Sequence, residues 1–285
     1  MKRREFLGTS GAAVIAAVIP SSPLARQPSS PPYSRLARVG LELYAVRAAM
    51  KADPEGTLAK VKAMGYDDVE LLWSFDNFGR TPAQVHATLT QLGLNAPSAH
   101  IAPEALLKDW DKSLDTARYL GHRYLIVPSL PAETNRSLDA WLKWADIFNT
   151  AGAAAKKAGV SLAFHNEPDH MQPIGGKIPY DAFVARTDPK LVHLQLDIGN
   201  MTMGGGDPLA YAKKHGARYV SLHVKDITPD RKSDTELGKG TVNIKAILAA
   251  IPDVRSKPCY VEQESPSDEL AAARQNVQYL RALDF

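Results

Sequence analysis

The stretch KKAGVSLAFHNE, residues 156–167, contains the pattern that decides the fold. A helical pattern ends at Gly159, a short apolar run follows, and the run closes on the polar residues His165 and Glu167. Glycine just past a helix adopts the left-handed conformation without a Cβ penalty, so Gly159 predicts the end of a helix and the start of a strand.

The same junction recurs along the chain. Its other copies are Met64-Gly65-Tyr66, Leu92-Gly93-Leu94, Leu120-Gly121-His122 and His215-Gly216-Ala217. Helix starts are marked as well. Thr81-Pro82-Ala83-Gln84 supplies a capping residue, a proline at the first helical position and a glutamine where a capping box needs one. Strand and helix therefore alternate along the sequence.

The apolar runs predict eight strands, at 39–44, 69–73, 96–100, 124–127, 161–167, 193–197, 219–225 and 260–264. Eight strand–helix units over about 245 residues match the size of a closed parallel barrel. An open doubly wound sheet would need a glycine-rich phosphate loop after its first strand, and Tyr44-Ala45-Val46-Arg47 has no glycine. We predict an α/β fold, a single (β/α)8 TIM barrel over residues 38–285.

The N-terminus resembles a twin-arginine export signal. Arg3 and Arg4 directly precede Glu5-Phe6-Leu7, and an apolar stretch follows as far as Ile19. We predict a signal peptide at 1–25 and a Ser/Pro-rich linker at 26–37, with an uncleaved anchor as the alternative. The expected location is periplasmic or secreted, with membrane contact only during export.

Composition excludes several classes of protein. The formal net charge is only +3, with both signs interspersed, so nucleic acid is not an expected partner. Cys259 is the single cysteine, which rules out an internal disulfide framework and a thiolate-rich zinc site. Its apolar neighbourhood predicts a buried thiol.

Polar residues gather where the predicted strands end, which is where such barrels carry their chemistry. Residues two apart in a strand share a face. The polar groups that this rule gives are, strand by strand, His165 and Glu167; His193, Gln195 and Asp197; His223 and Lys225; and Tyr260, Glu262 and Glu264. His100 ends the third strand. Any one of them has a structural explanation, such as a hydrogen-bonded core histidine or a helix cap. Four consecutive strands delivering carboxylates or imidazoles at one rim favour a divalent metal site, because buried carboxylates are costly unless paired.

Four strings in this region resemble the xylose-isomerase-like superfamily of sugar phosphate isomerases and epimerases. They are Phe164-His165-Asn166-Glu167, Leu196-Asp197-Ile198-Gly199-Asn200, Leu222-His223-Val224-Lys225-Asp226 and Val261-Glu262-Gln263-Glu264. Leu41-Glu42-Leu43-Tyr44-Ala45-Val46-Arg47 and Gly238-Lys239-Gly240-Thr241-Val242-Asn243 are similar to that group too. The resemblance covers nearly the whole mature chain and implies one divalent ion (Mn, Mg, Zn or Co).

In that family, glutamate, aspartate, histidine and glutamate from the last four strands commonly hold the metal. Carried over, Asp197, His223 and Glu262 fall on ligand positions. The fifth strand departs from the family pattern, because His165 stands at the usual glutamate position. One branch of the family has a His-Asn-His motif here, and Glu167 replaces the second histidine of that motif. The resemblance therefore leaves His165, Glu167 or both as the fifth-strand ligand.

The resemblance implies a sugar isomerase or epimerase that removes a proton beside a carbonyl and works through an enediolate. The same first step leads to β-elimination when a leaving group lies one carbon further on, so a lyase acting on a 3-keto-glycoside is the alternative. The candidate catalytic residues are Glu167, Glu262, Lys225 and His100; His170, Trp73 and Glu264 are candidate substrate contacts. For Lys225 a salt bridge is the competing role, and for Trp73 it is core packing.

The expected partner is a small sugar or keto-sugar. Phosphorylated sugars are scarce outside the cytoplasm, so export favours a free, oxidised or glycosidically linked sugar. Two other functions compete. A nuclease of the endonuclease IV type would need more histidines and a basic face, and a sugar-binding barrel without turnover would fit the altered fifth strand.

Overall fold

The structure, a computed structural model, describes residues 35–285. The predicted signal peptide at 1–25 and most of the predicted linker at 26–37 lie outside the described residues. The strands are β1 (Gly40–Glu42), β2 (Asp68–Leu72), β3 (Asn95–His100), β4 (Tyr124–Val127), β5 (Ser161–His165), β6 (Val192–Asp197), β7 (Tyr219–Val224), β8 (Asp226–Ile227), β9 (Asp234–Thr235) and β10 (Cys259–Val261).

Eight of these strands close into one barrel. Within the described residues its order is β1-β10-β7-β6-β5-β4-β3-β2, every neighbouring pair is parallel, and β8 and β9 form a separate antiparallel pair. The prediction of a single (β/α)8 TIM barrel is confirmed.

The helices that surround the barrel are α1 (Arg47–Ala52), α2 (Pro54–Met64), α3 (Asp76–Gly79), α4 (Pro82–Leu92), α5 (Trp110–Leu120), α6 (Leu138–Lys157), α7 (Pro179–Arg186), α8 (Ile198–Met203), α9 (Pro208–His215), α10 (Ile244–Ala250) and α11 (Glu269–Ala282). Short 3-10 turns lie at Leu43–Val46, Trp73–Phe75, Pro103–Leu106, Ala132–Arg136, Pro168–Met171, Gly216–Arg218 and Val254–Ser256. Between residues 35 and 285, no helix is both long and apolar enough to cross a bilayer.

The helix boundaries follow the capping signals, with one exception. Thr81 and Gln84 form the predicted reciprocal capping box of α4. Gly65, Gly93, Gly121 and Gly159 all have positive φ angles, between 63° and 101°. The prediction was wrong for the fifth junction glycine: the chain enters the 3-10 turn Gly216–Arg218 at a φ of −50°. A Cβ there would lie 2.7 Å from Cδ of Pro252, so close packing rather than a left-handed turn explains this glycine.

Three strands end at least two residues earlier than the sequence predicts. β1 gives way to a 3-10 turn at Leu43, β5 ends at His165, and β10 ends at Val261. The last β5 pairings are Phe164 with Val127, where β4 ends, and His165 with Gln195, two residues before the end of β6. Glu167, Glu262 and Glu264 consequently lie in the segments that leave the rim, not on regular strands.

One part of the core outside the barrel wall is a cluster of aromatic rings that β5, α6 and α7 bring together. Phe148 of α6 and Phe183 of α7 lie 5.4 Å and 4.3 Å from the ring centroid of Phe164, and all three side chains are buried. Such packing fixes the end of β5 firmly, because displacing any of these rings would open a cavity in the core. His165 follows Phe164 directly and is held in place by it.

Candidate metal centre and active site

A buried cluster of carboxylates and imidazoles fills the carboxyl end of the barrel. Asp197 ends β6, His223 lies near the end of β7, and Glu262 follows β10; these strands are neighbours in the wall. Nδ1 of His223 lies 2.8 Å from Oε2 of Glu262 and 4.0 Å from Oδ2 of Asp197. The potential ligand atoms of the three residues all lie within 4.8 Å of one another, which is the spacing of a metal site.

His165 borders this cluster from β5. Its Nε2 lies 3.8 Å from Oδ2 of Asp197 and 3.9 Å from Oε1 of Glu167. His165 is buried, whereas 30% of the Glu167 side chain is exposed, and its Oε2 accepts a hydrogen bond from Asn200. Both candidate fifth-strand ligands therefore reach the cluster, His165 from inside the barrel and Glu167 from its rim.

Lys225 places a fully buried ammonium among the carboxylates. Its Nζ lies 3.0 Å from Oδ2 of Asp197 and 3.0 Å from Oε2 of Glu262, and it donates hydrogen bonds to Glu264 and to Oδ1 of Asn200. Of the two roles considered from the sequence, the contacts are those of a salt bridge. The side chain does not border the cavity above the cluster, so its predicted contact with a substrate oxygen finds no support.

A second layer below the cluster contains two glutamates that the sequence analysis missed as site residues. Glu42 of β1 and Glu70 of β2 flank His100, with Oε1 of Glu42 3.1 Å from Nδ1 and Oε2 of Glu70 3.2 Å from Nε2. Nε2 of His223 is hydrogen-bonded to Oε2 of Glu70. The available signals were the alternation of both glutamates with apolar neighbours and the family resemblance of the string around Glu42, and neither reveals which residues the two side chains face.

The electrostatics of the two layers follow from burial and close opposite charges. Burial raises the pKa of Asp197 to about 6 and holds the pKa of the His165 imidazole well below its usual range. Burial alone would lower the pKa of His223, but the carboxylates of Glu42, Glu70 and Glu262 outweigh it and raise that pKa well above its ordinary value. Burial would also lower the pKa of His100, but the carboxylates of Glu70 and Glu42 outweigh burial and raise that pKa to about 9.

The two glutamates at the rim behave differently from those in the second layer. Burial raises the pKa of Glu167 well above its ordinary value, and it also raises that of Glu264. In Glu42 and Glu70 the effect of burial is outweighed by His223 and His100, and both pKa values are lowered.

An open cavity of about 460 Å³ lies above the cluster. Four carboxylate residues border it, together with His100, His165 and an aromatic wall of Tyr44 and Phe75, whose rings meet edge to face at 5.7 Å. The carboxylates belong to Glu42, Glu167, Glu262 and Glu264. Within residues 35–285, no lysine or arginine side chain borders this cavity.

Two predicted substrate contacts lie elsewhere. His170 is buried in the aromatic core, stacked on Phe164 at 5.2 Å, and its Nδ1 accepts a hydrogen bond from the backbone N–H of Glu167. Trp73 borders an outer groove and packs on His122 at 5.6 Å. Neither ring borders the cavity above the cluster, so this geometry does not support the two predicted substrate contacts, which stay predictions. His100 and Glu264 do border it.

Two further residues lie next to the site. The Asp226 carboxylate caps a loop, because it accepts hydrogen bonds from the backbone N–H groups of Gly238, Gly240 and Val242. Cys259 is buried, as predicted.

The fold and the site together define a (β/α)8 barrel whose carboxyl rim carries a buried carboxylate–imidazole cluster of the kind that binds a divalent cation. The chain belongs to the xylose isomerase-like TIM barrel family, whose profile matches residues 58–283. The family resemblance seen in the sequence is thereby confirmed.

Individual relatives include enzymes of two reaction types. Inosose dehydratase of Salmonella typhimurium is 31% identical over 106 residues, which cover 37% of this chain and 34% of the relative. The chain thus matches about a third of the length of that curated relative. Among solved structures, a sugar phosphate isomerase/epimerase from Parabacteroides distasonis superimposes with a TM-score of 0.74 at 24% identity, covering 86% of this chain and 94% of the other.

A further solved structure, of the IOLI protein with a bound zinc atom, has a TM-score of 0.68 at 15% identity and covers 85% of this chain and 95% of the other. At these identities the two structural matches show a shared fold.

Proposed function

We propose that this protein is a metal-dependent enzyme that acts on an unphosphorylated keto-sugar or keto-polyol and begins by removing a proton from the carbon beside the carbonyl. The observation that carries the proposal is the buried centre of Asp197, His223 and Glu262 opening into a cavity bordered by carboxylates. Family membership supports the enzyme class, and the zinc-bearing IOLI protein supports the metal.

The residues present fit a divalent ion. Oδ2 of Asp197 is buried in the middle of the cluster, and apart from its ion pair with Nζ of Lys225 it accepts no hydrogen bond within the described part of the chain. Oxygen and imidazole donors together suit Mn, Zn or Co, and we infer that Asp197, His223, Glu262 and His165 hold the ion. When bound, such an ion would polarise the substrate carbonyl and stabilise the negative charge left by proton removal.

The charge of the cavity argues against a phosphorylated substrate. A phosphate group would enter a space bordered by Glu42, Glu167, Glu262 and Glu264 with no bordering lysine or arginine from residues 35–285 to pair with it. Enzymes that bind phosphate use arginine, lysine or clustered backbone N–H groups for this purpose. The same argument disfavours a nuclease. Neutral hydroxyl groups, in contrast, can donate hydrogen bonds to all four carboxylates.

Glu167 is the best-placed group to exchange a proton with a ligand in the cavity. Its side chain borders the cavity, and the Asn200 amide fixes one of its oxygens. Glu264 borders the same cavity and is anchored by Lys225. We infer that these two carboxyl groups take and return protons, while Glu262 contributes to holding the ion.

Two outcomes of the first step are proposed. If the proton returns to the same or the neighbouring carbon, the reaction is an epimerisation or an isomerisation. If a hydroxyl group leaves from the next carbon and takes up a proton, the products are an unsaturated ketone and water. The match to inosose dehydratase favours this second candidate, a lyase, as much as the structural match to an isomerase/epimerase favours the first.

The test combines substrates of different charge with two readouts. Protein reconstituted with Mn²⁺ in deuterium oxide is incubated with a ketose, its phosphate ester, a 3-keto-glycoside and a cyclic keto-polyol. We expect deuterium in recovered sugar for an epimerase or isomerase, and ultraviolet absorption of an enone for a lyase. Glu167→Gln should lower either rate by about 10²–10⁴-fold while retaining the metal.

Each unfavourable outcome of this test identifies the part of the proposal that fails. If the ligands bind measurably but none of them gives deuterium incorporation or an enone, the protein is a sugar-binding barrel without turnover. Clear preference for the phosphate ester would refute the substrate class.

A further inference from the structure

Gln195, in the middle of β6, lies between the second layer and the candidate metal ligand His165. The side chain is fully buried. Its Nε2 donates to both oxygens of Glu70, at 3.0 Å and 3.2 Å, and to Oγ of Ser221 at 3.0 Å. Its Oε1 faces two imidazoles, 2.8 Å from Nε2 of His100 and 2.9 Å from Nδ1 of His165.

The Glu70 carboxylate fixes the orientation of the Gln195 amide. An ionised carboxylate only accepts hydrogen bonds, so the side of Gln195 that faces Glu70 must be the NH₂ group. Rotating the amide by half a turn would bring its oxygen against the Glu70 carboxylate, with no proton between them, in a buried site where an unmatched polar pair is costly. Oε1 must therefore face His100 and His165, and it can only accept.

The orientation of the Gln195 amide determines the tautomer of His165. Because Oε1 of Gln195 accepts, Nδ1 of His165 must carry the proton that is donated. A neutral imidazole has one proton, so Nε2 is left with a lone pair. That bare nitrogen is the one that lies 3.8 Å from Oδ2 of Asp197 and 3.9 Å from Oε1 of Glu167.

We propose that Glu70 and Gln195 are positioning residues that hold His165 in its Nδ1–H tautomer and so present Nε2 as a ligand toward Asp197. The proposal rests on the metal site of the proposed function, and it names the fifth-strand ligand as His165. Glu70 acts on two ligands at once, because it also accepts Nε2–H of His223 and leaves Nδ1 of that ring toward Glu262. Metal-binding histidines are generally oriented by such outer partners.

The first measurement is made on the metal-free full chain. Ring ¹⁵N chemical shifts distinguish the two tautomers of a neutral histidine, and His165→Asn assigns the signal among the eight histidines of the chain. We expect the protonated nitrogen of His165 to be Nδ1 in the wild type. A wild-type signal with the proton on Nε2 would overturn the proposal before any change at Gln195 is made.

The second measurement changes the acceptor. Gln195→Met removes it at nearly constant volume, and the Nε2–H tautomer should then gain, because the carboxylates near Nε2 favour a proton there. Gln195→Glu restores an acceptor and shares a proton with Glu70, so the wild-type pattern should return. Ser221→Ala is the matched control: it removes a hydrogen bond to the same amide but leaves the bond to Glu70, and the tautomer should stay.

Metal affinity tests the consequence by calorimetry with Mn²⁺ or Zn²⁺. We expect Gln195→Met to bind about 10–100-fold more weakly than wild type, and Ser221→Ala to bind nearly as wild type does. If Gln195→Met does not fold, Glu70→Gln, which allows the amide of Gln195 to rotate, should shift the tautomer in the same direction. An unchanged His165 signal in Gln195→Met or Glu70→Gln would overturn the proposal. The expected tautomers without any metal binding would refute the proposed function instead.

Discussion

Lys225 brings a permanent positive charge into a barrel interior that is otherwise dominated by carboxylates. Burial alone would lower its pKa, but Asp197, Glu262 and Glu264 outweigh that effect and raise the pKa well above the ordinary value. The ammonium therefore stays charged and shares two carboxylates, those of Asp197 and Glu262, with the proposed metal ion.

Replacing Lys225 tests whether it shares the carboxylates of Asp197 and Glu262 with the metal ion. In metal-free Lys225→Met the carboxylates lose their partner, and breaking a buried ion pair typically costs about 3–5 kcal/mol of unfolding free energy. Added Mn²⁺ should then raise the Tm of the variant more than that of the wild type, because the ion restores the missing charge. The measurement is thermal unfolding with and without metal.

The control for this experiment is Lys239→Met, which removes an exposed ion pair with Glu236. It should lose no more than about 1 kcal/mol and show the metal response of the wild type. Equal metal-free stability of Lys225→Met and wild type would show that Lys225 does not balance the buried carboxylates.

His122 gives a pH dependence that is separate from the metal centre. The ring is buried, Nδ1 is hydrogen-bonded to the carbonyl of Ala96, and burial lowers its pKa to about 4 from an ordinary value near 6.5. Between these two pH values the unfolded chain takes up a proton that the folded chain does not. The stability that neutral His122 contributes is therefore complete above pH 6.5 and is lost as the pH falls from 6.5 to about 4.

The expected loss from this one residue is roughly 3 kcal/mol. In His122→Asn, whose amide can still donate toward Ala96, the decline in unfolding free energy between pH 7 and pH 4 should be smaller by about this amount. His86→Asn, at an exposed position, should leave the decline unchanged. Denaturant titrations across the pH range make the comparison, and parallel curves for wild type and His122→Asn would contradict it.

At the scale of elements, the packing of α8 on β7 sets where Lys225 lies. Gly199, near the start of α8, faces the lysine stem: a Cβ there would lie 2.6–2.7 Å from Cβ, Cγ and Cδ of Lys225. Those atoms belong to a fully buried side chain and cannot move aside easily. A glycine at this position is therefore required by the close approach of the helix to the strand.

Gly199→Ala should cost about 1–3 kcal/mol of unfolding free energy through overpacking. In a Lys225→Ala background two of the three clashing atoms are gone, so the cost of Gly199→Ala should fall by at least about 1 kcal/mol. Gly93→Ala is the control, since it strains a left-handed helix cap far from Lys225 and its cost should add independently. Additive costs for Gly199 and Lys225 would disprove the contact.

At the scale of the whole molecule, we propose that the protein is exported by the twin-arginine route. The support is the sequence Arg3-Arg4-Glu5-Phe6-Leu7 followed by an apolar stretch. Export of an already folded protein would be compatible with a metal loaded before translocation, and an acidic cavity that disfavours phosphate suits a compartment where sugar phosphates are scarce.

Replacing Arg3 and Arg4 with lysine keeps the charge and removes the arginine pair. We expect the wild type to be found as a shortened chain in the periplasm or medium, and the double variant to accumulate as the full-length chain in the cytoplasm. Cell fractionation with immunoblotting makes the comparison, and Arg26→Lys serves as the control. Equal export of both chains would refute the proposed route.

The sequence by itself predicted the barrel and much of the candidate metal cluster. Local signals sufficed for the barrel, because helix caps, junction glycines and apolar runs each span only a few residues. The ends of parallel strands must meet at one rim, which grouped Asp197, His223 and Glu262 with other polar residues, and the family resemblance implied that these three are ligands.

The contacts between polar residues could not be predicted from the sequence. Glu70 and His223 are 153 positions apart in the chain, and Glu70 and Gln195 are 125 apart. Barrel closure brings these side chains into contact across the interior, and no local pattern encodes that registry. Strand periodicity predicts that a side chain points inward, whereas its partners depend on the stagger of all eight strands.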